Sequence, residues 1–188
     1  METKAQKTRR GLLDAAERQV DRHGAARLTL AAVAEEAGVS KGGLLYHFST
    51  KDELIAAMLD RRFARFDENR RSKIEADTQE RGRLARAYLL ASAEEKDPEA
   101  AAGLLAAVAN NPALLRPLQE RYSGWQDGLA SDAGLSPEQA TLIRLIADGL
   151  WLSELMGFAP PAPALRQRII GLALSMTEWE AMTPSLPQ

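Results

Sequence analysis

The chain has no cysteine in its 188 residues, only two histidines, and 5% aromatic residues. Without cysteine there is no disulfide framework and no thiolate nucleophile or ligand, which fits a reducing compartment. His23 and His47 stand apart from any Asp or Glu at metal-ligand spacing, so neither a metal nor a cofactor is expected. HExxH, glycine-rich phosphate loops and nucleophile elbows are missing too, and an enzyme is not expected. The longest apolar run, Ala100 to Ala109, falls far short of the roughly 20 residues that span a membrane. The opening METKAQKTRR is polar throughout, unlike a secretory leader. The expectation is a soluble, cytoplasmic protein without a membrane partner.

Nor is either charge in large excess, since the formal net charge is −2. Its distribution is more telling. Residues 1–51 hold nine Lys or Arg against six Asp or Glu, and residues 52–188 hold fifteen against twenty. The basic end is where neutralisation of a polyanion is expected. With 45% apolar residues the chain can bury a sizeable core in one large or two small domains.

The richest stretch is LTLAAVAEEAGVSKGGLLYHFSTKDEL, Leu28 to Leu54. Thr29 is a good N-cap for a helix over about 30–37, and Gly38 supplies the left-handed residue that ends it. Ser40 caps a second helix from Lys41 to about His47, too short to persist unless its neighbours clamp it. Leu30, Val33, Ala34 and Ala37 share one face, and Val39, Leu44 and Phe48 can close a small core against them. Left outside are Lys41, Gly42, Gly43, Leu45, Tyr46 and His47. Thr50 and Glu53, at capping-box spacing, open a further helix whose N-terminus, beside Lys51, suits a phosphate. Helix, glycine turn and short second helix spell helix-turn-helix, whose second helix enters the DNA major groove.

On these residues the chain resembles a TetR-family transcriptional regulator. The resemblance is carried by Thr29, Ala37-Gly38-Val39-Ser40, Gly42, Tyr46-His47-Phe48 and Lys51, and covers roughly the first sixty residues. Two positions depart from the family pattern: Gly43 stands where Thr or Ser is frequent, and Leu45 where an aromatic is frequent. A mid-helix glycine costs about 1 kcal/mol relative to alanine, whereas Leu45 can meet a thymine methyl. The resemblance implies that Thr29, Ser40, Lys41, Gly42, Gly43, Leu45, Tyr46, His47 and Lys51 form the DNA-binding set.

The remaining pattern reads as all-α. Nine helices are expected, over about 5–23, 30–37, 41–47, 50–74, 80–95, 97–110, 112–131, 137–157 and 165–182. Pro117 marks a kink or a late start in the seventh. A helix-turn-helix domain is expected over 1–49 and a helical ligand-binding and dimerisation domain over 50–188. In the last two helices Leu142, Leu145, Ile146, Gly149, Leu152, Ser153 and Met156 form one stripe, and Ile169, Ile170, Leu172, Ala173, Leu174 and Met176 another. By pattern alone these are either a buried core pair or a bundle with a second copy. The resemblance implies the second: a homodimer, with Leu142, Ile146, Gly149, Ser153, Ile169, Ile170 and Ala173 at its interface.

Among the aromatics, Tyr88, Tyr122, Trp125 and Trp151 read as core filler or as the lining of a ligand cavity, and the resemblance implies the cavity. Asp148 and Glu154 are carboxylates on a mostly apolar helix, and Arg144 lies one turn before Asp148. The resulting expectation is a sequence-specific DNA-binding regulator, a repressor released from a near-palindromic double-stranded operator by an apolar or amphipathic small-molecule inducer. The alternative is an all-helical ligand-binding or protein-interaction module that does not bind DNA.

Overall fold

A computed structural model describes residues 2–94, 104–105, 108 and 111–179. Among them are eight α-helices and no strand: α1 (Lys4–His23), α2 (Leu30–Glu36), α3 (Lys41–His47), α4 (Lys51–Ala76), α5 (Arg83–Ala93), α6 (Pro112–Ala130), α7 (Pro137–Met156) and α8 (Pro163–Ser175). A 3₁₀ turn, Ala25–Arg27, precedes α2. The helix expected over 97–110 lies almost wholly outside the described residues.

The chain divides into two compact units. The first takes residues up to Arg65 with the described part of 97–118, and the second takes 66–94 and 119–179. The boundary between these compact units lies inside α4, because Leu54, Ile55, Met58 and Leu59 are buried with Leu12, Val20, Val33, Leu44 and Phe48 in one core. Leu44 has no exposed surface; burying such a side chain stabilises by about 1.5–3 kcal/mol. That is how a seven-residue α3, too short to stand alone, is held.

Local chemistry starts each helix of this unit. Thr3 and Gln6 make a reciprocal capping box on α1. The Thr29 hydroxyl accepts the Ala32 N–H at 3.2 Å, Ser40 accepts Gly43 N–H at 3.1 Å and Thr50 accepts Glu53 N–H at 3.1 Å. The Glu53 carboxylate takes the Ser49 N–H and hydroxyl at 2.7 and 2.9 Å, which holds it below the usual carboxylate range. Gly38, at φ +66°, closes α2 in the left-handed region that side chains avoid.

The second unit is built on α5, which packs against α7 and α8. Tyr88, Leu89, Ile143, Ala147, Ile170 and Ala173 are buried there. Two boundaries differ from the sequence expectation. α5 starts at Arg83 rather than near 80, because Gly82 turns the chain at φ +70° and the buried Asp132 carboxylate accepts the Ala85 N–H at 2.8 Å. α8 stops at Ser175, where a turn through the buried Thr177 takes over. α6 begins at Pro112 and runs on through Pro117.

Candidate functional site

In the first unit the turn motif buries one side and bares the other. Leu44 and Phe48 point inward, while Lys41, Gly42, Leu45 and Tyr46 are exposed, Tyr46 by 82%. Tyr46 and His47 meet edge to face, ring centroids 5.1 Å apart. A tyrosine standing this far into solvent contributes little to the fold and offers a phenolic O–H to a partner. The Thr29 and Ser40 hydroxyl oxygens are occupied as caps, which leaves their protons free to donate. Gly43 sits in the cap itself: a Cβ there would lie 3.3 Å from Ser40 Oγ.

Lys51 is half-buried, its Nζ 3.4 Å and 3.5 Å from the Ala25 and Ala26 carbonyl oxygens. It braces α4 on the 3₁₀ turn as well as standing beside the helix N-terminus. Behind the motif, Arg18 and Arg22 of α1 bond Glu36 of α2 at 2.8 and 2.7 Å. These two guanidinium groups depress the Glu36 carboxyl to about 2.

In the second unit four rings converge. Trp125 lies 4.9 Å from Phe66, 5.9 Å from Tyr88 and 5.0 Å from Tyr122, centroid to centroid, and Phe66 lies 5.4 Å from Tyr88. Two carboxylates border the cluster. Asp67 accepts the Trp125 indole N–H at 2.9 Å and an Arg121 N–H at 2.9 Å. Asp148 accepts the Tyr88 hydroxyl at 2.7 Å and an Arg144 N–H at 2.6 Å, and Arg144 also reaches Gln126 at 2.5 Å.

Burial pushes the Asp148 carboxyl above the ordinary aspartate range despite those two donors. Burial and the nearby Asp148 charge push the Tyr122 hydroxyl up to about 12, and Tyr88 moves the same way, chiefly by burial. Glu154 is neutralised by Arg166, which also donates to the Ala93 carbonyl at 2.8 Å. Among the described residues, no group of three or more His, Asp or Glu is placed to hold a metal.

Two family models match. Residues 12–58 match the bacterial regulatory proteins of the tetR family, and residues 82–178 match the tetracyclin repressor-like C-terminal domain. The chain belongs to the TetR family. Its head is similar to the HTH-type transcriptional regulator TtgR of Pseudomonas putida, 50% identical over 56 residues, which are 30% of this chain and 27% of that protein. The chain thus matches only about a quarter of the length of this curated relative. Over nearly the whole length it has the fold of a Pseudomonas aeruginosa PAO1 chain described as a transcriptional regulator, at 22% identity and TM-score 0.74, covering 94% of this chain and 91% of that one. It is also similar to the multidrug binding protein EbrR complexed with ethidium, at 25% identity and TM-score 0.65, covering 90% and 98%.

For this TetR-family chain, the structure brings Thr29, Ser40, Lys41, Gly42, Gly43, Leu45, Tyr46, His47 and Lys51 together around the turn motif. It unites Tyr88, Tyr122 and Trp125 with Phe66 of α4. Trp151 is half-buried on α7, and among the described residues no ring contact ties it to that cluster. The expected interface set is split. Leu142 and Gly149 are exposed and Ile146, Ser153 and Ile169 half-buried, while Ile170 and Ala173 are buried inside the chain's own core at 6% and 0% exposure. Those two positions are therefore core residues of α8 rather than surface ones. Leu145, Leu152 and Met156 are exposed in their stead.

Proposed function

We propose that the chain is a homodimeric, ligand-responsive DNA-binding transcriptional regulator acting in the cytoplasm: a repressor that leaves a near-palindromic operator when a small apolar or amphipathic molecule binds its second unit. The observation that carries the DNA-binding part is the bare α3 face, with Lys41, Leu45 and Tyr46 in solvent over a buried Leu44 and Phe48. The helix is seated by Leu44 in the core, while its outer face makes no core contact, as a recognition helix must. Tyr46 and Lys41 suit phosphates, which position the head, and Leu45 suits a thymine methyl, which specifies.

The dimer rests on α7. Leu142, Leu145, Gly149, Leu152 and Met156 repeat at alternating spacings of three and four and are all exposed, while Ile143, Ala147 and Leu150 of the same helix are buried. Spacing of this kind makes a seam for a second helix. A Cβ added at Gly149 would meet nothing within 4 Å, so nothing in its own chain requires glycine there, and close approach of a partner helix does. Leu165 and Leu172 of α8 are exposed as well.

The sensor part rests on the four-ring cluster with its two bordering carboxylates, the mixture of apolar rings and a few fixed polar groups that ligand sites use. An inducer lowers operator affinity only by binding the DNA-free conformer more tightly, and a tenfold effect needs about 1.4 kcal/mol of that preference. The test is to select bound fragments from genomic and random DNA, then titrate the winning duplex against salt. One recurring near-palindromic site, with affinity falling steeply as salt rises, is the expected result. No enrichment of any sequence, with equal retention by a Tyr46→Ala variant, would favour a ligand-binding or protein-interaction module without DNA binding.

A further inference from the structure

We propose that the first two turns of α1 form a second phosphate-binding surface, gripping the duplex backbone beside the bases that α3 reads. The proposal rests on the DNA-binding reading above and adds a contact outside the turn motif. Lys4, Lys7, Arg9 and Arg10 are all exposed. Without these four cations, residues 1–51 would hold five Lys or Arg against six Asp or Glu. The basic balance of the head therefore lies in these two turns and not in the turn motif itself.

Two features make Arg9 and Arg10 part of a surface rather than solvated side chains alone. The Arg9 guanidinium lies over the Phe48 ring, 5.0 Å from its centroid, and Phe48 is the residue that closes α3. The basic turns are thereby joined to the edge of the recognition helix. Gln6, Arg9, Arg10 and Leu13 of α1 and Arg61 of α4 line an open cleft of about 340 Å³. Arg61 is bonded to Asp14 and, at 3.5 Å, to Glu17, yet its second terminal nitrogen is buried without a partner.

The carboxylates facing the patch are few. Asp14 and Glu17 are held by Arg61, and Glu2 pairs with Arg10 at 3.0 Å with both side chains well exposed, where water screens the attraction. Among the described residues Lys4 and Lys7 have no ion-pair partner. Four exposed cations within two turns of one helix, with Arg9 reaching the end of α3, suit backbone phosphates, which bind by charge and not by base identity.

The experiment uses the full chain and two duplexes, the selected site with long flanks and the same site trimmed close to the bases that α3 reads. On the long duplex, Lys7→Gln/Arg10→Gln should bind about tenfold more weakly at low salt, its salt slope lower by about one unit for each cation removed per head. On the trimmed duplex, variant and wild type should bind alike. Glu2→Gln, which frees Arg10, should tighten the long duplex and steepen its slope. Lys4→Gln/Lys7→Gln is the second variant, and circular dichroism checks both folds.

An unchanged slope on the long duplex overturns the proposal. So does an equal loss on both duplexes, which would make these cations a distant field and not a contact. Binding that needs Tyr46 but is indifferent to Lys4, Lys7 and Arg10 rejects this surface alone. Absence of any selective binding by the wild type rejects the DNA-binding reading beneath it.

Discussion

The helix starts of the head and the interior of the second unit close over different distances along the chain. In the head, caps close over three residues, as in Thr29 to Ala32, Ser40 to Gly43 and Thr50 to Glu53. In the second unit the polar bonds that define the interior link residues far apart: Asp67 to Trp125, Tyr88 to Asp148, and Arg86 to Thr177 at 3.2 Å. Local closure gives the head a surface that is reproducible, as the proposed contact with a DNA backbone requires. Remote closure gives the second unit an interior whose shape depends on many contacts at once, which is compatible with the ligand response proposed for it.

The sharpest way to break this contrast is charge on the last two helices. Ile170→Arg buries an unpaired ion beneath α8 and should unfold the second unit, an effect beyond the roughly 4 kcal/mol that marks exceptional substitutions. Leu145→Arg, on the bare side of α7, should leave helical circular dichroism intact and convert dimers to monomers in sedimentation. Dimers that survive Leu145→Arg and Leu152→Arg would remove the α7 seam from the assembly.

Next in size are core truncations. Tyr88→Ala removes a ring wedged against Phe66 and Trp125 and orphans an acceptor on Asp148, and should cost about 4 kcal/mol in urea unfolding. Leu44→Ala in the head should cost about 3 kcal/mol and abolish operator binding together with stability. Tyr88→Phe separates the terms: it keeps the ring and should lose only about 1–2 kcal/mol.

Caps come lower. Ser40→Ala should cost about 1 kcal/mol and weaken DNA binding through a looser α3, with urea midpoint and duplex affinity falling together. A loss of affinity without loss of stability would instead assign the Ser40 hydroxyl to a phosphate.

The smallest effect is acid response, in which the two units should move in opposite directions. Glu36 in the head is depressed from 4.5 to about 2 by Arg18 and Arg22, so its contribution is present above pH 4.5 and is lost as pH falls through 2. Asp148 is raised above 3.8 by burial, so its contribution is complete below pH 3.8 and is lost as pH rises through its folded value. Carboxyl-carbon NMR titrations should show Glu36 ionising below free glutamate and Asp148 above free aspartate. Glu36→Gln should flatten the acid limb of stability, and Asp148→Asn should remove a loss of the opposite sign. Tyr122 extends the pattern to alkali: its hydroxyl, raised from 10.0 to about 12, stabilises the fold up to pH 10 and ceases to do so as pH passes 12.

Against these tests, what could be read beforehand follows the same divide. The turn motif was legible residue by residue, down to α3 spanning Lys41–His47, because a Ser cap, a left-handed glycine and a three-residue spacing are short-range rules. The pairing of Arg144 with Asp148 was legible too, being one helical turn long. Phe66 as part of the ring cluster was not, nor were Asp67 and Asp132, since a carboxylate's partner 47 or 58 residues away leaves no periodic trace.

By itself, the sequence determined an all-helical chain, the helix-turn-helix and the cationic end that carries it, because caps, turns and charge counts act over one or two turns of helix. Only the tertiary structure decided which side of α7 is core and which is bare, that Ile170 and Ala173 belong inside, and that α4 is shared between two compact units. An amphipathic stripe wider than half a helix can be buried from either side. What selects the side is the shape of α5 packed against it, a property of no single segment.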